Sequence, residues 1–467
     1  MIRGGLAATS VRERLFWGVV AVGLVLRLAI LSQTSTLGTT IGDEQQYSQL
    51  GQSILAGDGL AWAPDRPTSL RPPLYPALLA AIWSIAGPLN MQAVRAFQIL
   101  LALATTVVVY FLGARIYDRR IGRYAAAACW LYPSLIFFNS LILTETLFTL
   151  LLVTCVLFGV VLVQTPRWWA ALLCGISLGL AALTRSVVWP MPLILCPLLG
   201  VFMRAPLARR VALPAIVLAG YAIVVAPWAV RNTRLQGVVT IVDTMGGMNL
   251  RMGNYEYTPD DRMWTAVALQ GEQNWVTGLT ADRPGQTMTE GLKEKWAQRK
   301  AIEYMRQHPI VTLRRALIKF ADFWGLEREF VSGVSSGLFR PPVWFQVMAS
   351  VSITAGYIGL VVAGAAGLWL AAPPDRRAHV LMLLPIALIV GAHTIVFGHS
   401  RYHLPLIPLF AVYGAALLAR YASAVHSAPR SIRLAALATT TVLVMIWIRE
   451  VAIVDAARIA ALLDRLG

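Results

Sequence analysis

The sequence is poor in charged residues, above all in acidic ones. Its 467 residues include 23 Asp and Glu against 40 Lys and Arg, and charged residues make up 13% of the chain. With 57% hydrophobic residues and a mean hydropathy of +0.64, the chain is more apolar than a soluble protein of this length. This composition argues against a soluble enzyme and predicts a membrane protein.

Several common site motifs are missing as well. The four cysteines fall within apolar segments and form no CxxC pair, so neither a disulfide framework nor a thiolate metal site is indicated. The GxxxxGK phosphate loop of nucleotide-binding enzymes is absent, and so is the HExxH pair of zinc proteases. We find no internal repeat, no low-complexity tract and no alternating strand pattern of a membrane barrel.

Apolar segments close to the roughly 20 residues needed to cross a hydrocarbon core recur along the chain. They predict an all-α, polytopic bundle that forms a single membrane domain over residues 1–467. The first segment has no small-residue cleavage site after it, so we interpret it as a retained helix rather than a signal peptide. About eleven spanning helices are expected, at residues 15–32, 91–115, 121–140, 143–163, 168–185, 187–203, 211–230, 345–371, 378–397, 404–420 and 433–449.

Arginines in the short loops between these segments predict the orientation. Those before the first helix and after the second, fourth, sixth, eighth and tenth fall on one face, which the positive-inside rule makes cytoplasmic. The N-terminus then lies inside, and the tail from 449 to 467 and two long loops, 33–90 and 231–344, lie outside. Membrane orientation accounts for the net charge of +17, so nucleic acid is not expected as a partner.

Both outer loops contain apolar residues at helical spacing. Pro76 to Ile85 is too short to span and predicts an interfacial helix. In the second loop, Thr289 to Gln307 and Val311 to Trp324 each predict an amphipathic helix. We therefore expect the functional residues in these outer loops and at the outer helix ends.

Two adjacent carboxylates, Asp43 and Glu44, follow the first spanning segment in the stretch GDEQQY. A carboxylate at a membrane surface has an adjustable basicity, which suits it to take a proton from an attacking hydroxyl. The alternative is that the pair caps the helix that follows and favours its N-terminal dipole. Spacing alone leaves both interpretations open.

Other charged residues stand at outer helix ends. Glu145 is flanked closely by apolar residues, where an ionisable group is costly unless it is partnered or useful. Arg185, Arg231 and Arg401 lie on the face that the orientation rule disfavours, and Arg71 precedes a proline pair at headgroup level. Each arginine could simply anchor to lipid, but together they indicate a shared anionic ligand, for which lipid-linked phosphate is the natural candidate.

A metal is a further hypothesis. The sequence identifies no cofactor, but His399 and His403 could ligate a divalent metal together with Glu145 or Asp43. The spacing of these residues matches no established metal-binding motif.

Several motifs follow one another along almost the whole chain: GDEQQYSQLGQSILAGDGL, RPPLYPALLA, LILTETLF, LTRSVVWP, PWAVRNTRLQG with GGMNLRMGN, HPIVTLRRALIKFADFW and SRYHLPLIPLF. In this order they resemble the bacterial GT-C integral-membrane glycosyltransferases, in the branch that contains protein O-mannosyltransferases and lipid A aminoarabinose transferases. The chain differs from the latter at Arg71, where they have an acidic or lysine-containing context, which puts a metal site of their kind in doubt. It also lacks the large soluble insertion of the eukaryotic protein mannosyltransferases, so a protein acceptor is not specifically implied.

The resemblance implies an enzyme of the bacterial inner membrane. Such an enzyme moves a sugar from a polyprenyl-phosphate donor to a hydroxyl of a lipid, glycan or protein acceptor at the periplasmic face, with inversion. Asp43 matches the presumed general base of the family and Glu44 its catalytic neighbour. The expected substrate-binding residues are Arg71, Tyr75, Glu145, Arg185, Arg231, Asn254, Arg401 and Tyr402. The rival functions are a secondary transporter and a non-catalytic lipid-binding subunit of the envelope.

Overall fold

The structure is a computed structural model that describes residues 2–39 and 41–456, with side chains from residue 13 onward. These residues form α-helices and their connections, and they contain an isolated β-bridge between Ala61 and Pro67 but no β-strand. The predicted all-α fold class is confirmed. Residues 457–467 of the tail that we predict outside the membrane lie beyond the described part of the chain.

The helices of the described residues are α1 (Ile2–Gln33), α2 (Gly42–Ala56), α3 (Leu74–Ala86), α4 (Met91–Ile116), α5 (Arg119–Trp130), α6 (Pro133–Phe138), α7 (Glu145–Gln164), α8 (Trp168–Ala182), α9 (Pro192–Phe202), α10 (Leu207–Gln236), α11 (Met245–Met252), α12 (Thr277–Asp282), α13 (Glu290–Gln307), α14 (Pro309–Phe323), α15 (Glu329–Ser335), α16 (Val343–Leu370), α17 (Arg376–Ile395), α18 (Ile407–Ser427) and α19 (Arg430–Arg449). Short 3-10 turns occupy Ser186–Val188, Met263–Ala268, Gly271–Gln273 and Ser400–Leu406, and a π-turn occupies Glu450–Val454.

Eight helices among the described residues are long and apolar enough to cross a membrane. They are the part of α1 from Glu13, then α4, α7, α10, α16, α17, α18 extended back to Ser400, and α19 extended to Val454. These coincide with the first, second, fourth and seventh to eleventh predicted spans. The chain is a multi-pass membrane protein, as its composition predicts.

The other three predicted spans are shorter or broken helices. The third is divided into α5 and α6, because Pro133 fixes its own backbone and holds Tyr132 extended before it. The sixth begins only at Pro192, after a 3-10 turn, and forms the 11-residue helix α9. The fifth is the 15-residue helix α8. Hydropathy alone did not separate these elements from full spans.

Small residues set the closest helix contacts of the core. Gly175 of α8 packs against the backbone of α10, where a Cβ at Gly175 would lie 2.0 Å from the carbonyl oxygen of Val217. Gly367 of α16 is also in close contact with α18, since its Cβ would be 2.3 Å from the carbonyl oxygen of Tyr413. The most deeply buried spanning helices are α18 and α7, which therefore form the centre of the bundle.

The outer loops contain the helices that the sequence predicts. The first loop has α2, which ends at Gly57 in the left-handed conformation (φ 93°), and the short apolar helix α3. The second loop has α13, capped by the Thr289 hydroxyl at the amide of Leu292, and α14, which begins at Pro309. The three helices predicted for these two loops are therefore present in the structure.

We predict that Gly175→Ala destabilises the protein, because the added methyl group collides with the α10 backbone and overpacking costs about 1–3 kcal/mol. Gly391→Ala in α17 is the matched control, since a Cβ there meets nothing within 4 Å. Thermal unfolding in detergent, followed by tryptophan fluorescence, should show a lower midpoint for Gly175→Ala alone. Equal midpoints for the two variants would contradict the close packing of α8 and α10.

Candidate active site

The two carboxylates of GDEQQY point in different directions. Glu44 is buried, and its oxygens accept hydrogen bonds from the backbone amides of Ile41 (3.0 Å) and Ile142 (2.8 Å). It thus caps α2 and ties the first outer loop to the turn that precedes α7. These contacts favour the capping interpretation and give no support to a direct catalytic role for Glu44.

Asp43 instead faces two arginines from distant parts of the sequence. Its Oδ1 atom lies 2.5 Å from an Nη atom of Arg71, and its Oδ2 atom lies 2.8 Å from an Nη atom of Arg401. Gln46, one turn further along α2, accepts hydrogen bonds from Nε (2.9 Å) and Nη (2.7 Å) of Arg71. The Asp43 side chain is 23% exposed, so a ligand can reach it.

Glu145 continues this arrangement at the first residue of α7, where the helix dipole favours a negative charge. Its Oε1 atom lies 2.9 Å from Nη1 of Arg185 and 3.0 Å from Nε of Arg401, although the latter N–H is not aligned for a hydrogen bond. The side chain is 2% exposed, and Oε2 has no hydrogen-bond partner. A buried carboxylate of this kind depends on its two guanidinium neighbours.

The result is a chain of alternating charges, Arg71, Asp43, Arg401, Glu145 and Arg185, which we call the ion-pair chain. Three arginines and two carboxylates leave it with a net charge of 3 − 2 = +1. The residues come from the first outer loop and from the ends of separate helices, so the fold assembles them at one end of the bundle. This arrangement suits a singly charged anion.

The arginines also control the basicity of Asp43. Burial by itself would raise the pKa of Asp43, but the charges and hydrogen bonds of Arg401 and Arg71 outweigh this effect and hold the pKa well below its usual range. Asp43 is therefore ionised and firmly paired in this structure.

Two buried side chains of α4 hold the backbone around the site. Arg95 donates to the carbonyls of Thr34, Leu37 and Ser140, and Gln98 donates to those of Asn139 and Leu141. Tyr75, which we expected at the substrate, is fully buried and donates to Gln98 at 3.1 Å. Tyr75 therefore holds Gln98, which in turn holds the backbone of the turn before Glu145. Sequence reasoning missed Arg95 and Gln98.

A second buried group holds the segment that carries Arg401. Lys319 of α14 donates to the side-chain oxygen of Asn254 and to the carbonyl of Ile395, both at 2.8 Å, and Asn254 donates to the same carbonyl. Burial, with a smaller effect of Arg315, lowers the pKa of Lys319 to about 7. Asn254, expected among the substrate-binding residues, thus fixes the end of α17.

Arg231 lies outside the ion-pair chain. Its guanidinium donates to the carbonyls of Thr68 (2.6 Å) and Leu60 (3.1 Å) and packs over the Trp228 ring. The expected convergence of outer arginines therefore holds for Arg185 and Arg401 and not for Arg231, which instead fixes the first outer loop. The number of spanning helices before a residue predicts the membrane face on which it lies, but it does not give the direction of its side chain.

Tyr402 borders the ion-pair chain. The guanidinium of Arg185 lies 5.0 Å from its ring centroid, and that of Arg401 lies 5.6 Å from it. Its ring thus limits the positions that both guanidinium groups can take.

The expected metal ligands are not brought together. His403 is buried between the carbonyl of Phe323 (2.7 Å) and Glu327 (3.0 Å), and His399 accepts from the amide of Arg401. No group of three His, Cys, Asp or Glu side chains that could hold a metal ion occurs in the described part of the chain. The side chains around Glu145 are Arg185 and Arg401, and their positive charges repel a metal cation. These surroundings do not fit the hypothesis of a metal held by His399, His403 and Glu145.

Asp243 is a neighbour of the site that sequence reasoning missed. The amide of Thr244 donates to the carbonyl of Ser69 (3.0 Å), which places Asp243 beside the segment that leads to Arg71. Its carboxylate accepts from the amide of Met245 (3.2 Å) and from the Ser186 hydroxyl. Burial raises its pKa to about 6 against the opposing effect of these hydrogen bonds. Its position as a lone acidic residue in TIVDTMGG was the available signal.

The chain is similar to known proteins in part of its sequence and in its fold. Residues 70–230 match the sequence profile of the family described as dolichyl-phosphate-mannose-protein mannosyltransferase. A comparison with curated protein sequences found no match. Among solved structures, the apo oligosaccharyltransferase of Archaeoglobus fulgidus superposes with a TM-score of 0.50 at 14% identity, over 92% of this chain and 55% of that one. The chain has the GT-C fold.

This fold confirms the resemblance to GT-C membrane glycosyltransferases that the motifs predict. The chain spans about half the length of the archaeal enzyme. ArnT from Cupriavidus metallidurans is also similar, in its apo state (TM-score 0.42, 16% identity, 89% of this chain and 79% of that one). Its structure bound to undecaprenyl phosphate gives a TM-score of 0.40 at 15% identity, over 87% and 78% of the two chains.

We predict that Asp243→Asn stabilises the protein at pH 7.5. Because the pKa of Asp243 is raised to about 6 on folding, the buried carboxylate is a cost above that pH, and this cost disappears as the carboxyl is protonated between pH 6 and 4. The gain should be on the order of 1 kcal/mol after allowance for partial exposure.

Thermal unfolding at pH 7.5 and pH 4.5 measures this gain, which should be largest at the higher pH and fall to about a third of that value at the lower. Asp65→Asn, at an exposed position of the first outer loop, is the control and should change little at either pH. A gain that is the same at both pH values would contradict the raised pKa.

Proposed function

We propose that the protein is a glycosyltransferase that moves a sugar from a polyprenyl-phosphate-linked donor to an acceptor hydroxyl. The observation that carries this proposal is the ion-pair chain, which presents three guanidinium groups and a partly exposed carboxylate at one end of a membrane bundle. Its net charge of +1 matches the single negative charge of a phosphodiester donor. The profile match to a dolichyl-phosphate-mannose family supports the same donor class.

In this proposal the arginines bind the donor phosphate. Arg401 is central because it lies between both carboxylates, and Arg71 and Arg185 flank it. Guanidinium groups stabilise the charge that develops on the leaving phosphate without giving up a proton. Glu145 holds Arg401 and Arg185 in position for this task.

Asp43 is the proposed general base. The acceptor oxygen forms a bond to the anomeric carbon while its proton passes to the Asp43 carboxylate. The bond between the anomeric carbon and the phosphate oxygen breaks, and its electron pair leaves with the polyprenyl phosphate. Attack from the side opposite the phosphate inverts the anomeric centre.

We place the site on the periplasmic face of the bacterial inner membrane, with the N-terminus in the cytoplasm. The support is the distribution of arginines in the short loops, which are concentrated at the end of the bundle opposite Asp43. A polyprenyl donor and other membrane lipids can reach Asp43 from the bilayer at this level. The acceptor is a lipid, glycan or protein hydroxyl.

The transporter alternative has less support. Transporters place ionisable groups near the bilayer midplane between repeated halves, whereas these charges lie at helix ends and the sequence has no repeat. A non-catalytic lipid-binding subunit would share the phosphate site but would not need Asp43. Activity of an Asp43 variant therefore separates binding from catalysis.

Asp43→Asn should abolish sugar transfer because the amide cannot accept the proton, with a loss of about 10²- to 10⁴-fold. The assay uses purified protein in liposomes with a panel of undecaprenyl-phosphate-linked hexoses and pentoses and a membrane extract as acceptor, analysed by mass spectrometry. Asp58→Asn, exposed in the same loop, is the matched control and should retain activity. Transfer by Asp43→Asn near the wild-type rate would remove Asp43 as the base.

Arg401→Gln should weaken binding of undecaprenyl phosphate by about 10- to 100-fold, because it removes charge-assisted hydrogen bonds to the phosphate. Arg234→Gln, exposed near the end of α10, is the control for the loss of a positive charge. Binding is followed by quenching of tryptophan fluorescence in detergent. Equal affinities for wild type and Arg401→Gln would rule out the phosphate-binding role.

A further inference from the structure

We propose that the donor phosphate releases Asp43 from its arginines, so that this carboxylate can receive the acceptor proton only in the donor-bound protein. The proposal rests on the proposed function and adds a control step to it. Donor binding would then be a condition for activating the acceptor, which imposes an order on the two substrates.

The first support is that both oxygens of Asp43 are occupied. Arg71 contacts Oδ1 and Arg401 contacts Oδ2, at 2.5 and 2.8 Å. A carboxylate held in this way has no free oxygen directed at an acceptor hydroxyl and has little affinity for a proton. As observed, the site is arranged to bind an anion and not to remove a proton.

The second support is that each arginine has an independent anchor. Arg71 donates to Gln46 through both Nε and Nη, and Arg401 lies 3.0 Å from Glu145 through Nε. Either guanidinium can therefore exchange its contact with Asp43 for a phosphate oxygen while the anchor keeps it in place.

The charges around Asp43 give the direction of the effect. The groups that interact with it are the cations Arg71 and Arg401, with Tyr47 and His399 as further neighbours, and Glu145 lies beyond Arg401. A bound phosphate takes up the positive charge of the arginines and adds a negative charge of its own. Both changes raise the pKa of Asp43 toward or above its ordinary value, so binding is accompanied by proton uptake at acidic pH.

Removal of Asp43 has a second consequence for binding. In the wild-type protein the phosphate must compete with this carboxylate for two arginines. In Asp43→Asn the competition is lost and the net charge of the ion-pair chain rises from +1 to +2. The variant that cannot transfer sugar should therefore bind the phosphate more tightly than the wild type.

The test uses farnesyl methyl phosphate, a phosphodiester that keeps one negative charge throughout the pH range and does not itself titrate. Isothermal titration calorimetry at pH 4.5, in two buffers of different ionisation enthalpy, gives the number of protons taken up on binding. We expect about 0.2 of a proton or more for wild type, because a carboxyl whose pKa has returned to its ordinary value of about 4 is about one quarter protonated at pH 4.5. Asp43→Asn should lose this contribution and bind at least about fivefold more tightly, as expected for the removal of a competing ion pair.

Asp243→Asn is the control for the other carboxyl near Arg71 and should keep the proton uptake that belongs to Asp43. If the wild-type protein binds the phosphodiester but takes up no more protons than Asp43→Asn, the proposed release of Asp43 is wrong and the proposed function is unaffected. Weaker binding by a folded Asp43→Asn protein would also overturn it. Failure of wild type to bind the phosphodiester at all would count against the proposed function itself.

Discussion

The pairing of Glu145 with Arg185 and Arg401 is the interaction on which the outer end of the bundle depends. Glu145 is almost fully buried, and an isolated carboxylate there would be too costly to keep ionised. Its two arginines offset that cost, and Arg401 then extends to Asp43 and through it to Arg71. A charge at the first residue of α7 thus sets the positions of residues from the first outer loop, from the segment after α8 and from the 3-10 turn before α18.

Buried side chains next to the ion-pair chain hold the backbone segments that carry its residues. Arg95 and Gln98 hold the turns before α2 and α7 through backbone carbonyls, and Lys319 with Asn254 holds the end of α17. None of these groups is part of the ion-pair chain, yet they fix the segments that deliver its members. The site therefore combines a rigid scaffold with guanidinium groups that have more than one partner.

Much of this organisation could be predicted from the sequence. Apolar segment lengths gave the spanning helices, and arginines on the disfavoured face identified Arg185 and Arg401 as residues of interest. The direction of a side chain depends on the rotation of its helix and on tertiary contacts, which explains why Arg231, Tyr75 and Asn254 turned out to support the backbone. Asp243 and Lys319 were missed because their setting arises only when distant segments meet. The breaks at Pro133 and before Pro192 lie within apolar stretches that a hydropathy average does not resolve.

The cap made by Glu44 joins the amides of Ile41 and Ile142, so the start of the first outer loop and the turn before Glu145 behave as one piece. An inserted or deleted residue on either side of this joint would shift Asp43 and Glu145 together. Residues 231–344 contribute neither of those carboxylates, but Asn254 and Lys319 within them hold the end of α17 near Arg401. The length of the chain between Ile41 and Ile142 is therefore constrained at both ends by one buried side chain.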